Sequence, residues 1–131
     1  MSNIADFNTV AIADTDREHE VQLGLLRELC AAAGENRDPA AVADVLDRLI
    51  AYSEAHFASE ELLMRLKSYE DYEDHIEDHM QMLDTLRGIA ASHAIGDSAL
   101  IAGHASELLA FIGNHIATRD RRFAHYVRNN L

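Results

Sequence analysis

Seven side chains of types that commonly bind metal ions stand out in this chain, and four of them form two pairs at a spacing typical of one helix face. His56 and Glu60 are four residues apart, and so are His75 and His79. On an α-helix, residues four apart lie on the same face, with their Cβ atoms about 5–6 Å from each other. Each pair can therefore direct two ligands at one place. The candidate ligands, in chain order, are His19, His56, Glu60, His75, His79, His115 and Asp120.

This set of five imidazoles and two carboxylates suits a pair of metal ions better than a single ion. A tetrahedral zinc site takes four ligands, which would leave three of the seven unused. A carboxylate can bridge two ions, and bridged ions lie about 3.5–4 Å apart, which fits inside a helical bundle. We therefore expect a two-metal centre with Glu60 and Asp120 as the bridges. Imidazole suits iron, copper, zinc and nickel alike, so the ligands leave the metal open.

The spacing between His115 and Asp120 does not fit a regular helix. Five residues correspond to a rotation of about 140° on an α-helix, so the two side chains would point in different directions. For both to reach one site, the helix must end or widen into a π-type turn near Ala117. Such turns are rare and are found mostly at functional sites. The sequence therefore predicts a local irregularity between these two residues.

The composition favours the helices that these spacings require. The chain has 131 residues, of which 48% are hydrophobic, with one proline and six glycines. This length suits one hydrophobic core, and the abundant Ala, Leu, Glu and Arg are good helix formers. We therefore expect an all-α fold and a single domain over residues 1–131.

Amphipathic segments with short connections predict an up-down-up-down four-helix bundle. Thr15 to Glu18 matches a capping box and predicts the start of the first helix. Residues 1–14 lack a helical period and are expected to form an extended N-terminal arm that lays its apolar residues on the bundle. The four predicted helices run over about 15–33, 38–67 and 71–92 and from about 98 to His115, and a short C-terminal helix covers about 119–128.

The charge of the chain excludes two classes of partner. Its formal net charge is −12 at pH 7. Nucleic acid and anionic membrane both require a basic surface, because their phosphates repel an acidic one. We therefore expect no binding to either.

The same sequence features favour a cytoplasmic protein. The single cysteine, Cys30, cannot form an internal disulfide, which fits a reducing compartment. No apolar run approaches the roughly 20 residues of a membrane span. The N-terminal residues also lack the basic and apolar regions of a secretory signal.

The order of the candidate ligands resembles that of a known family. A lone histidine is followed by His-x-x-x-Glu, His-x-x-x-His and His-x-x-x-x-Asp, which is similar to the pattern of hemerythrins, the non-haem di-iron oxygen carriers. The block from His56 to Met64 (His-Phe-x-x-Glu-Glu-x-x-Met) looks like the bacterial branch of that family, as does Ile12-x-Asp14. The resemblance covers about residues 7–126.

This resemblance implies reversible O2 binding at two iron ions (Fe2+/Fe3+) joined by an oxo or hydroxo bridge, with no organic cofactor. Nitric oxide and azide-like anions are further ligands that such a site takes. Carried over residue by residue, one iron would be held by His75, His79 and His115 and the other by His19 and His56, with Glu60 and Asp120 bridging both.

Three functions are compatible with such a site. The first is an oxygen carrier, store or local supplier, expected here to be a monomer and not an enzyme. The second is a sensor that reports O2, nitric oxide or redox state to a partner protein. The third is a di-iron oxidase, peroxidase or nitric oxide reductase, which the imidazole-rich ligand set disfavours, because oxidative enzymes of this kind use carboxylate-rich sites. The remaining histidines, His93, His104 and His125, are expected to lie outside the site.

Overall fold

The computed structural model describes residues 4–34, 38–94 and 98–129, and within these the side chains of 15–33, 38–93 and 101–129. This part of the chain is helical almost throughout and contains no strand. None of its helices is both apolar enough and long enough to cross a bilayer. The elements are α1 (Ile4–Gly34), α2 (Pro39–Leu66), α3 (Tyr72–Ala94), α4 (Ser98–His115), a π-helical turn (Ile116–Asp120) and α5 (Arg121–Asn129).

The four long helices close into a ring. α1 packs against α2 and α4, α2 packs against α3, and α3 packs against α4, while the short α5 contacts α1. Each long helix therefore has two neighbours, and all four present one face to a common interior. The predicted all-α four-helix bundle with a short C-terminal helix is confirmed.

Local sequence fixes the ends of α2. The Asp38 carboxylate accepts a hydrogen bond of 3.1 Å from the backbone N–H of Ala40, and Pro39 occupies the first helical position. This arrangement is favourable at a helix N-terminus, because the carboxylate satisfies a free backbone N–H and proline has no N–H to leave unsatisfied. At the other end, Ser68 adopts a positive φ of 53° in the short connection to α3. The Tyr126 hydroxyl on α5 donates to the Lys67 carbonyl at 2.8 Å and closes this end of the bundle.

The prediction of an extended arm over residues 1–14 is wrong where the structure describes it. Helix α1 begins at Ile4 and continues through Thr15 without a break. No glycine or proline occurs between residues 4 and 14 to interrupt the helix. The Thr15–Glu18 pattern, which often caps a helix, is tolerated here inside one, because such side chains cost little in a helix interior. The packing expected of the arm's apolar residues lies outside the described side chains.

The interior of the bundle contains two apolar clusters with a polar layer between them. The larger cluster fills one end and includes Leu26, Leu49, Leu86 and Ile112, while the smaller one fills the other end. In α2 and α3, and in α4 together with the π turn and α5, the candidate ligands fall at the level between these clusters, and in α1 His19 precedes the residues of the larger cluster. The smaller cluster consists of Leu63, Met64, Tyr69, Phe123 and Val127.

Two exposed helical glycines give a test of the fold. Gly88 in α3 and Gly103 in α4 are exposed, and a Cβ added at either would meet nothing within 4 Å. Gly88→Ala is expected to raise the free energy of unfolding by about 1 kcal/mol, because alanine loses less backbone entropy on folding. Gly103→Ala is expected to have the same effect. Urea unfolding of the two single variants, at equal metal content, measures the gain in the free energy of unfolding. A loss of stability in either variant would mean that another element approaches that helix closely.

Candidate metal centre

The structure brings all seven candidate ligands together in the polar layer. Each has at most 7% of its surface exposed. Helix α1 supplies one residue, α2 and α3 supply two each, α4 supplies one at its last position, and the π turn supplies one. They are His19, His56, Glu60, His75, His79, His115 and Asp120.

Glu60 lies between two groups of histidines. Its Oε2 is 3.3 Å from His19 Nε2 and 3.4 Å from His56 Nε2. Its Oε1 is 3.2 Å from His79 Nε2 and 3.6 Å from His75 Nε2. Each oxygen of this carboxylate therefore faces a different histidine group, which is the arrangement that a bridging ligand requires.

Asp120 divides its oxygens in the same way. Its Oδ2 is 3.0 Å from His19 Nε2, on the side of the two-histidine group. Its Oδ1 is 2.8 Å from His75 Nε2 and 3.1 Å from His115 Nε2, on the side of the three-histidine group. Both carboxylates thus span from one group to the other. The arrangement is consistent with two cation positions, one beside each group.

A π-helical turn places Asp120 in the site. The turn runs from Ile116 to Asp120, and the backbone N–H of Arg121 donates to the Ile116 carbonyl five residues earlier. The wider turn takes up one residue more than an α-helical turn, so that Asp120 returns to the face of His115. The predicted irregularity between these two residues is confirmed.

Three of the histidines are also held from outside the site by a carboxylate on the preceding helix. In each pair the carboxylate faces Nδ1, so an Nδ1–H that donates to it leaves Nε2 as a lone pair directed at the interior. Such contacts fix both the ring orientation and the tautomer of a ligand. The pairs are Glu18–His56 at 3.3 Å, Glu61–His79 at 2.9 Å and Asp78–His115 at 2.9 Å.

Sequence reasoning missed these three outer carboxylates. Each is next to a candidate ligand in the chain: Glu18 precedes His19, Glu61 follows Glu60, and Asp78 precedes His79. Adjacency was the available signal, but each acid contacts a histidine on the next helix, which only the packing reveals. Asp78 also pairs with Arg119 of the π turn at 2.7 Å.

Several buried atoms in the site lack a hydrogen-bond partner. These atoms are Glu60 Oε1, His79 Nε2, His115 Nε2 and His75 Nδ1. An unsatisfied buried polar atom costs about 1–3 kcal/mol, so native structures contain few of them. Three of the four point at the space between the ligands, where a cation would satisfy them. The donor set therefore fits metal binding.

The fourth of these atoms, His75 Nδ1, lies in a different environment. His75 has no carboxylate behind it, and its ring instead packs edge-on against Tyr69, with ring centroids 6.0 Å apart, and Phe123 at 6.3 Å. The smaller apolar cluster thus takes the place of an outer carboxylate in positioning this ring.

The electrostatics of the site reflect two carboxylates buried among imidazoles. Burial alone would lower the pKa of His19, but hydrogen bonds and charge from Asp120 and Glu60 raise it to about 10. Burial also opposes the shift at His115, whose pKa is raised by Asp120. Burial lowers the pKa of His56. For Asp120, burial is outweighed by hydrogen bonds from the histidines, which hold the pKa of its carboxyl well below the usual range.

Within the described residues, two sets of side chains have ligand atoms that all lie within 4.8 Å of one another: Glu60 with His79, His115 and Asp120, and His19 with His56 and Glu60. His75 lies outside both sets but is 2.8 Å from Asp120, whereas the other three histidines lie outside the sets and away from their carboxylates. His93 contacts the Pro39 carbonyl at 3.0 Å, and the exposed His125 contacts Asn129 on its own helix. His104 is half-buried in α4, about three turns from His115.

A cavity of about 310 Å³ reaches the site from between α1 and the π turn with α5. His19, Glu60 and Asp120 line it together with Ile116 and Phe123, and Arg121 and Arg128 are among its remaining residues. This volume lies at the lower end of the range for small-molecule pockets.

Comparison with known proteins agrees with this geometry. The family model described as the Hemerythrin HHE cation binding domain matches residues 10–127. Myohemerythrin of Theromyzon tessulatum is 39% identical over 54 residues, which are 41% of this chain and 45% of that relative, so the match spans less than half of either protein. No solved structure matches the chain. The bacterial branch stays a prediction, but the family match covers most of the chain, which therefore belongs to the hemerythrin family of cation-binding domains.

Proposed function

We propose that this protein binds O2 reversibly at a pair of iron ions. The observation that carries the proposal is the division of both buried carboxylates: each has one oxygen on the side of a two-histidine group and the other on the side of a three-histidine group. Seven ligands divided in this way match the needs of two bridged ions. Family membership supports a cation in this position.

We assign the ligands by the group that each one faces. His75, His79 and His115 would hold one iron, and Glu60 and Asp120 would span both. The second iron would have the two remaining histidines, His19 and His56, and so one protein ligand fewer. That difference makes the two-histidine end the place for an external ligand. When bound, an iron pair supplies electrons that O2 can accept and return.

The residues of the chain contribute position and shielding. Glu18, Glu61 and Asp78 orient three of the rings, so that little reorganisation is needed when metal binds. The two negative charges of the bridging carboxylates offset part of the charge of two dications. Apolar clusters cover the layer on two sides, and the cavity between α1 and the π turn with α5 reaches it from a third.

Binding rather than catalysis is the function that this setting favours. The cavity that reaches the site is small, and aliphatic and aromatic side chains make up much of its lining near the ligands. It suits a diatomic molecule or small anion better than an organic substrate that must be oriented for reaction. Imidazole also outnumbers carboxylate among the ligands, in contrast to the oxidative di-iron enzymes.

An optical experiment tests the proposal directly. Protein loaded with two equivalents of iron(II) without air is expected to be nearly colourless, to develop a visible absorption band on exposure to O2, and to lose it on removal of O2. The cycle should repeat many times because the ligand leaves unchanged. Irreversible bleaching in the first cycle, or consumption of O2 with an added reductant at a steady rate, would contradict reversible binding.

A pair of histidine variants tests the ligand assignment. His79→Ala removes one ligand of the three-histidine group and is expected to lower the iron content and abolish the O2-dependent band. His104→Ala, on α4 but about three turns from the site, is the matched control and should change neither. Metal analysis with the optical spectrum measures both effects. Parental iron content in His79→Ala would remove this residue from the ligand set.

Metal binding should also release protons. At pH 7 the metal-free protein carries a proton on His19, whose pKa is raised to about 10, and its release is required before Nε2 can bind a cation. His56, whose pKa is lowered, is already neutral and contributes none. Calorimetric titration with Co2+ in buffers of different ionisation enthalpy counts the protons. His19→Gln is expected to reduce the count by about one, and an unchanged count would mean that His19 is neutral in the metal-free protein.

A further inference from the structure

One buried polar pair lies next to the metal centre and is not part of it. Gln22 on α1 has 1% of its surface exposed and Ser53 on α2 has 0%. The Gln22 Nε2 donates a hydrogen bond of 3.0 Å to Ser53 Oγ. Apart from the seven candidate ligands, and leaving tyrosine aside, these are the buried polar side chains in the described part of the chain.

The pair sits one helical turn from the two-histidine group. Gln22 comes three residues after His19, and Ser53 comes three residues before His56, so each shares a helix face with a ligand. The rings of His19 and His56 are themselves in contact, with centroids 4.8 Å apart. Because side chains on a helix lean toward its N-terminus, Gln22 leans toward the turn that carries His19.

On its other side the pair meets the apolar core. Leu26 on α1 and Leu49 on α2 lie one helical turn farther from the two-histidine group, and both are fully buried. Gln22 and Ser53 therefore form the boundary between the core and the end of the site where the proposed function places an external ligand.

An amide at this boundary has more hydrogen-bonding capacity than the structure uses. A glutamine side chain has two N–H donors and one acceptor. In the described part of the chain, the hydrogen bond to Ser53 is the one found for the Gln22 side chain. A leucine pair such as Leu26 and Leu49 would fill this level without burying polar atoms, so helix packing alone does not call for an amide here.

We infer that Gln22 determines ligand specificity at the two-histidine end: its second amide N–H donates a hydrogen bond to a small ligand that carries negative charge, and Ser53 fixes the orientation of the amide. The inference rests on the proposed function, since it needs a ligand beside His19 and His56. It predicts that the amide raises the affinity of the site for a small anion such as azide above the affinity that an apolar side chain at position 22 would give.

Azide binding to the iron(III) form tests this role. Gln22→Met replaces the amide by an apolar chain of similar length and is expected to weaken azide binding by about tenfold or more, because a hydrogen bond to a charged group contributes at least that much. Iron content should stay at two per protein, because Gln22 is not a ligand. Gln81→Met, the same change at an exposed position of α3, is the control and should leave the azide affinity unchanged.

A double variant separates ligand binding from helix packing. Gln22→Met leaves Ser53 without its partner, whereas Gln22→Met with Ser53→Ala replaces both polar groups and is expected to restore the thermal stability of the metal-free protein to near the parental value. Its azide affinity should stay as low as that of Gln22→Met. Recovery of the affinity together with the stability would overturn the inference and leave the pair as a packing contact between α1 and α2.

The failure of this inference is distinguishable from the failure of the proposed function. Parental azide affinity in Gln22→Met would contradict the specificity role and leave reversible O2 binding untouched. A parent protein that holds no iron pair would contradict the proposed function and this inference with it.

Discussion

The structure depends on the burial of two carboxylates, Glu60 and Asp120, in the middle of a helical bundle. Taking a charge out of water is costly unless opposite charge or hydrogen bonds compensate it. Here the compensation comes from imidazoles on all four long helices and, in the proposed function, from two cations. The polar layer between the apolar clusters therefore fixes the positions of the four helices relative to one another. The rest of the interior fills the space around this layer.

The contacts of the outer carboxylates all run in the same direction around the bundle, from each helix to the next one in the chain. Glu18 on α1 contacts a histidine of α2, Glu61 on α2 contacts one of α3, and Asp78 on α3 contacts one of α4. Each acid lies next in the chain to a candidate ligand on its own helix. Every long helix before the last thus supplies a candidate ligand and also orients a candidate ligand on the following helix, so a small shift of one helix would displace two of them at once.

Much of this architecture could be predicted from the sequence because helices make spacing informative. The four-residue spacings of His56 with Glu60 and of His75 with His79 bring two side chains to one place only on a helix. The five-residue spacing before Asp120 predicted that the helix either ends or widens into a π-type turn, and the structure has the π turn. Contacts between helices could not be predicted, since no spacing in α1 indicates that Glu18 would meet His56 or that Gln22 would meet Ser53. The extended arm was wrong because a capping pattern at Thr15 does not distinguish a helix start from a helix interior.

The π turn has a consequence for how α4 and α5 are related. Leu108, Ile112 and His115 form one stripe along α4, and Asp120, Phe123 and Val127 continue it at spacings of three and four once the additional residue of the turn is taken out of the count. The two segments are therefore one rod that tolerates an insertion at the exposed positions 117 and 118. Phe123 and Val127 pack in the smaller cluster, and they keep these positions only if the extra residue is taken up within a single turn. No loop is needed to achieve this.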